Sequence, residues 1–149
     1  MTDKKNIPAT RISINLIAIE DNGCHLYIKA KIQGKTANLL IDTGASRTVF
    51  DRTRMETFVH DAAPFTELDK LSTGLGTDSM RGHTVNLDSL EIGAITINNY
   101  TAMTLDLTHV NESYAKIGIE PIDGVLGGDI LGEYNANIDY KTRKLKLSS

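Results

Sequence analysis

Leu26, Ile28, Ala30 and Ile32 alternate with His25, Tyr27, Lys29 and Lys31, the two-residue period of a strand with one face buried and one wet. Asp21-Asn22-Gly23 turns the chain before it. Upstream, Arg11 to Glu20 alternates less regularly, with Ile12, Ile14, Leu16 and Ile19 as its apolar set, and predicts a strand with a bulge near Ala18. Downstream, Gly34-Lys35 predicts a tight hairpin loop, and Thr36 to Ile41 forms the returning strand. Leu39, Leu40 and Ile41 are apolar on both faces, so that strand should be buried and should deliver Asp42 inside the domain.

Further along, Val49, Phe50, Met55, Phe58 and Val59 spread around Asp51, Arg52, Arg54 and Glu56, which predicts a short helix starting near Asp51. A connection containing Pro64 follows. Ser72 to Ser79, with Gly74 and Gly76, reads as a glycine-bearing hairpin tip. Val85, Leu87, Leu90 and Ile92 predict a strand that turns at Gly93-Ala94, and Ile95 to Leu107 continues the strand pattern. Glu112 to Ile117 predicts a short helical piece, and Ile122 to Leu131 a second one. Asn137 to Tyr140 and Lys144 to Leu147 close the chain as a hairpin around Lys141-Thr142-Arg143. About seven strands and two or three short helices make the class mainly β, with closed or orthogonal packing.

Composition narrows the field. At 149 residues, 40% hydrophobic and 23% charged, the chain suits one domain, expected over 12–149 behind a tail of 1–11. A formal net charge of -3 argues against nucleic acid as a partner, and the run Lys141, Arg143, Lys144 and Lys146 reads as a solvated strand face. Cys24 is the single cysteine, which rules out an intrachain disulfide and a thiol-built zinc cluster. His25, His60, His83 and His109 stand far apart, so neither a metal nor a cofactor is expected. No apolar run reaches the roughly 18 residues of a membrane helix. No signal-peptide core follows Lys4 and Lys5, so the expected location is cytoplasmic, although a processed secreted form would read the same.

Asp42-Thr43-Gly44 occurs once, at the end of the apolar strand. The triplet alone is weak. Joined to the glycine-bearing hairpin some thirty positions later and to Val125-Leu126-Gly127 near the end, it resembles the retropepsin-like aspartic proteases, the retroviral-type half-size relatives of pepsin. The resemblance spans Leu26 to Leu147. It implies a closed β-barrel with a flap hairpin and one or two short helices. It also implies a polypeptide substrate, a catalytic Asp42 supported by Thr43 and Gly44, and substrate contacts from Ala45, Gly74, Leu75 and Gly76. Since one chain carries one motif, the second carboxylate must come from an identical partner, which makes a homodimer. Thr43 is implied as a buried hydroxyl bracing two loops, and the apolar-apolar-Gly segment as one that threads under the active-site loop. Retroviral members place acidic residues after the motif and a basic residue after the apolar-apolar-Gly segment. Here Ser46-Arg47 and Gly128-Asp129 stand instead, so Arg47 and Asp129 are expected as a charge-swapped pair. The alternative in a different class is a non-catalytic retropepsin-like module that binds extended peptides or serves assembly.

Overall fold

The computed structural model describes residues 9–19, 23–59, 66–67 and 83–149. The alternating segment forms β3 (Gly23–Ile32), which turns into β4 (Lys35–Ile41) through Gln33 and Gly34. Both turn residues have positive φ, 52° and 81°, the backbone of a two-residue loop that matches strand twist. The turn therefore lies one residue earlier than the sequence suggests.

Arg11 to Glu20 is not one strand. It divides into β1 (Thr10–Ser13) and β2 (Asn15–Ile19), which belong to different sheets. The crossing is at Ile14, buried, with its N–H donating to the Arg143 carbonyl. The imperfect alternation marks this change of sheet and not a bulge. Thr10 and Arg11 lie in the sheet too, opposite Leu147 and Lys146 of β11 (Lys144–Leu147).

Val49–Asp51 forms β5, and Asp51 then caps α1 (Arg52–Phe58) by accepting from the Arg54 N–H. Its other carboxylate oxygen accepts from the Leu107 N–H at 2.9 Å, so one buried aspartate ends a strand, starts a helix and ties a distant loop. The strands β6 (Thr66–Glu67), β7 (His83–Ile92) and β8 (Ile95–Leu105) follow, then α2 (Thr108–Ala115). The apolar run Ile122 to Leu131 is largely not helical. Gly124–Leu126 is a wholly buried strand, β9, and only Gly128–Glu133 coils as α3. A short continuous apolar run suits a buried strand as well as a buried helix, and tertiary pairing decided here. β10 (Asn137–Asp139) and β11 close the chain.

The main sheet runs β2-β3-β4-β9-β5-β8-β7-β6, and a further β3–β7 pairing closes β3 through β7 into a six-stranded barrel. β9 sits between β4, its parallel neighbour, and β5, its antiparallel one. A three-stranded sheet, β1-β11-β10, packs at its side. The barrel interior is filled by Ile28, Ile32, Leu39, Phe50, Leu87, Leu90, Ile92 and Leu126. A satellite core of Ile17, Tyr114 and Ile122 fastens α2 to the outside.

Candidate active site

β4 and β9 run parallel, with Leu40 beside Val125 and Ile41 beside Leu126. Where β4 ends, the Asp42 N–H donates to the Leu126 carbonyl at 3.0 Å, so the ladder extends to the carboxylate-bearing residue itself. The chain then turns sharply. Gly44 N–H donates to Asp42 Oδ1 at 2.9 Å, and Ala45 N–H to the Asp42 carbonyl at 3.1 Å. A Cβ at Gly44 would lie 3.3 Å from that carboxylate oxygen, a crowding that glycine relieves.

The segment after β9 threads under this loop. Gly128 N–H donates to the Ala45 carbonyl at 2.7 Å and Asp129 N–H to that of Ser46 at 3.1 Å. Gly127 passes so close that a Cβ there would stand 2.5 Å from the Arg47 carbonyl oxygen. Thr48, 1% exposed, joins the strands through its hydroxyl, which accepts from Gly127 N–H at 3.0 Å and donates to Asp129 Oδ1 at 2.7 Å.

The expected Arg47–Asp129 pair does not form within the chain. Asp129 Oδ1 accepts from Thr48 and from Ile130 N–H, and its Oδ2 from the Tyr100 hydroxyl at 2.9 Å. The carboxylate sits in the first turn of α3, where backbone N–H groups favour it. Burial and then Asp129 push the Tyr100 phenol well above its ordinary pKa.

Asp42, Thr43 and Gly44 are exposed on the single chain and Ala45 is half-buried. Asp42 thus does not leave its strand inside the domain, and Thr43 too is exposed on the single chain. The apolar flanks end at Ile41, and the loop stands at the barrel's rim. Asp42 and Thr43 open on a cleft of about 330 Å³, shared with His25, Leu40, Ile41, Ile138 and Tyr140. Tyr140, 62% exposed, is a large apolar side chain left on this rim. Gly74, Leu75 and Gly76, with the whole expected flap, lie outside the described residues.

A family model described as aspartyl protease matches residues 28–130. This chain belongs to the aspartyl protease family. No curated protein matches the sequence. Three solved structures share the fold of this aspartyl protease family member. A retropepsin-like aspartic protease from Rickettsia conorii has TM-score 0.56 and 18% identity, over 94% of this chain and 88% of that one. The retroviral protease-like domain of Ddi1 from Leishmania major has TM-score 0.55 and 14% identity, over 83% and 87%. The EIAV protease, complexed with the inhibitor HBY-793, has TM-score 0.55 and 15% identity, over 83% and 99%. The fold is thus a retropepsin-like closed barrel, as the motifs imply.

Several residues at this family site escaped the sequence reading. Thr48 and Tyr100 meet Asp129 across separations of 81 and 29 residues. His25 lines the cleft from β3, while Arg54 of α1, outside the lining, donates to Asp123 Oδ1 at 2.6 Å. Asp123, 3% exposed, also accepts from Asn38 N–H at 2.8 Å, so the ion pair ties α1 to β4 just behind the loop. Among the described residues no three His, Cys, Asp or Glu side chains gather as a metal site, and no helix is long and apolar enough to cross a membrane.

Proposed function

We propose that the protein is an aspartic endopeptidase that works as a homodimer, with Asp42 from each protomer forming the catalytic dyad. The observation that carries this reading is the state of Asp42 on one chain. Its Oδ1 is held by Gly44 N–H, while Oδ2 has no partner among the described residues, and the side chain is exposed beside a cleft. A fixed, half-satisfied carboxylate at a rim is half of a device. A twofold axis at this rim supplies the other half and buries the Asp42-Thr43-Gly44 loops against each other.

Two carboxylates at hydrogen-bond distance cannot both ionise cheaply, so they share one proton, and aspartic proteases are the established case of this effect. The ionised member takes a proton from a water that attacks the peptide carbonyl carbon. The protonated member donates to the carbonyl oxygen as it gains charge. Collapse of the tetrahedral species breaks the C–N bond, and a proton passes to the leaving amine. Thr43 and Gly44 hold the loop, and Ala45 with the Gly74-Leu75-Gly76 hairpin contacts the polypeptide. The titration belongs to the pair, so two identical residues can act as acid and base.

Asp42→Asn should abolish peptide cleavage while thermal unfolding and circular dichroism stay as in the wild type; a variant that still cleaves overturns the reading. Sedimentation across protein concentrations, with a pepstatin-type inhibitor, checks the dimer. A protein that stays monomeric and ignores the inhibitor favours the second reading, a non-catalytic peptide-binding or assembly module, which an Asp42 bonded only to Gly44 N–H, with no second carboxylate in the cleft lining, also suits. Weak dimerisation would make activity depend on concentration.

A further inference from the structure

The cleft beside Asp42 has a polar wall that this chemistry leaves unused. Tyr27 of β3 pairs with Leu40 of β4, and the same antiparallel register carried two residues on sets His25 across from Asp42. Both line the cleft. His25 is exposed, yet its Nδ1 shares a 2.6 Å hydrogen bond with the Tyr114 hydroxyl, and the two rings meet edge to face at 5.8 Å. Tyr114 is buried with Ile17 and Ile122 in the satellite core. The helix that carries it is clamped by Asn111, whose side chain bonds the Ile122 N–H at 2.7 Å and the Ile122 carbonyl at 3.1 Å. An exposed imidazole ordinarily turns freely, but this one is pinned by a buried phenol 89 positions away.

The pin decides what the ring offers. A phenol is a far stronger acid than a neutral imidazole N–H, so in the neutral pair the hydroxyl donates to Nδ1 and the ring proton resides on Nε2. When the imidazole is protonated, Nδ1–H donates to the phenol oxygen, and Nε2 again carries a proton. Burial, followed by the charge of Asp42, raises the Tyr114 pKa and keeps its O–H form. Nε2 has no hydrogen-bond partner among the described residues, so a donor stands ready in the cleft in either state. The apolar part of the same lining includes Leu26, Leu40, Ile41 and Ile138.

We propose that His25, pinned by Tyr114, is a specificity determinant that selects a substrate side chain with an apolar stem and a terminal oxygen acceptor, glutamine above all. His25 touches the substrate, and Tyr114 is its positioning residue. The stem lies along the leucine and isoleucine wall while the amide oxygen accepts from Nε2–H. Glutamate matches less well, since its charge would face that of the dyad. Methionine, of equal length, leaves the donor without a partner. The inference rests on Asp42 marking the peptide-binding cleft.

Paired peptides that differ only in Gln, Glu or Met next to the scissile bond test it through kcat/KM. The wild type should prefer Gln over Met about tenfold at one position, the weight of one hydrogen bond at a desolvated site. His25→Phe should bring that ratio within about twofold, and Tyr114→Phe should lower it partway with the near-UV spectrum unchanged. A purely structural role for the pair would slow all peptides alike and leave the ratio intact, which overturns the proposal. So does a wild type that shows no Gln preference at any position. The same peptides bound to Asp42→Asn, followed by fluorescence anisotropy, separate the two readings. A His25-dependent Gln preference in binding, without cleavage by the wild type, upholds specificity and sinks proteolysis; no binding at all sinks both.

Discussion

Gly127→Ala is the most searching single change, because the strand crossing under the Asp42 loop allows no side chain at that point. An added Cβ would lie 2.5 Å from the Arg47 carbonyl oxygen, 2.6 Å from its carbon and 2.9 Å from the Ala45 carbonyl oxygen. All three are backbone atoms, so no rotamer relieves the clash, and the two segments must part by about 1 Å to reach ordinary contact. The same segments are joined by the bonds from Gly127, Gly128 and Asp129 N–H to Thr48, Ala45 and Ser46. Overpacking costs about 1–3 kcal/mol, and weakening two of those bonds adds about 1 kcal/mol each. The expected destabilisation is therefore about 3–5 kcal/mol, a large part of a domain's usual margin. Urea unfolding measures it as a lower midpoint at unchanged slope. Gly132→Ala is the control: nothing lies within 4 Å of a Cβ there, in α3, and alanine should raise stability by roughly 0.5–1 kcal/mol. If Gly127→Ala falls within about 1 kcal/mol of wild type, the threading described above does not constrain the loop.

Thr48→Val keeps the shape but leaves Gly127 N–H without its acceptor and removes a donor to Asp129, so stability should fall by about 2 kcal/mol; an unchanged midpoint would show that water replaces the hydroxyl. Arg54→Met strands the buried Asp123 carboxylate and should cost about 3 kcal/mol, read by the same titration, with a loss below 1 kcal/mol counting against the ion pair. Tyr100→Phe tests the raised phenol. The folded protein keeps a proton that the unfolded chain releases, so stability present below pH 10 is lost as pH climbs from the ordinary value of 10.0 through the higher folded one. The variant should lose less stability across that alkaline window, and parallel pH slopes for the two proteins would refute the assignment.

Much of this molecule was legible in local pattern. The period of two over His25–Ile32, the Gln33-Gly34 and Gly93 turns, and the Asp51 helix start all depend on neighbours within a few residues, and all appear at or near the expected places. The break at Ile14 and the strand β9 were not legible, because each depends on a partner more than eighty residues away, Arg143 for the first and β4 for the second. Arg47–Asp129 failed for the same reason. Opposite charges in motif-matched positions suggest a pair, but Thr48 and Tyr100 reach the carboxylate first.

The sequence by itself determined the carboxylate, the glycine that lets a backbone N–H reach it, and a strand pattern that builds a mainly β chain. These follow from side-chain chemistry and short-range geometry. Only the tertiary structure decided that the barrel closes through β3 and β7, that Asp42 stands exposed at its rim, and that Tyr114 reaches back to fix His25 beside it. Such contacts join residues far apart along the chain, and their energies depend on what each group leaves behind in water, which no local pattern records.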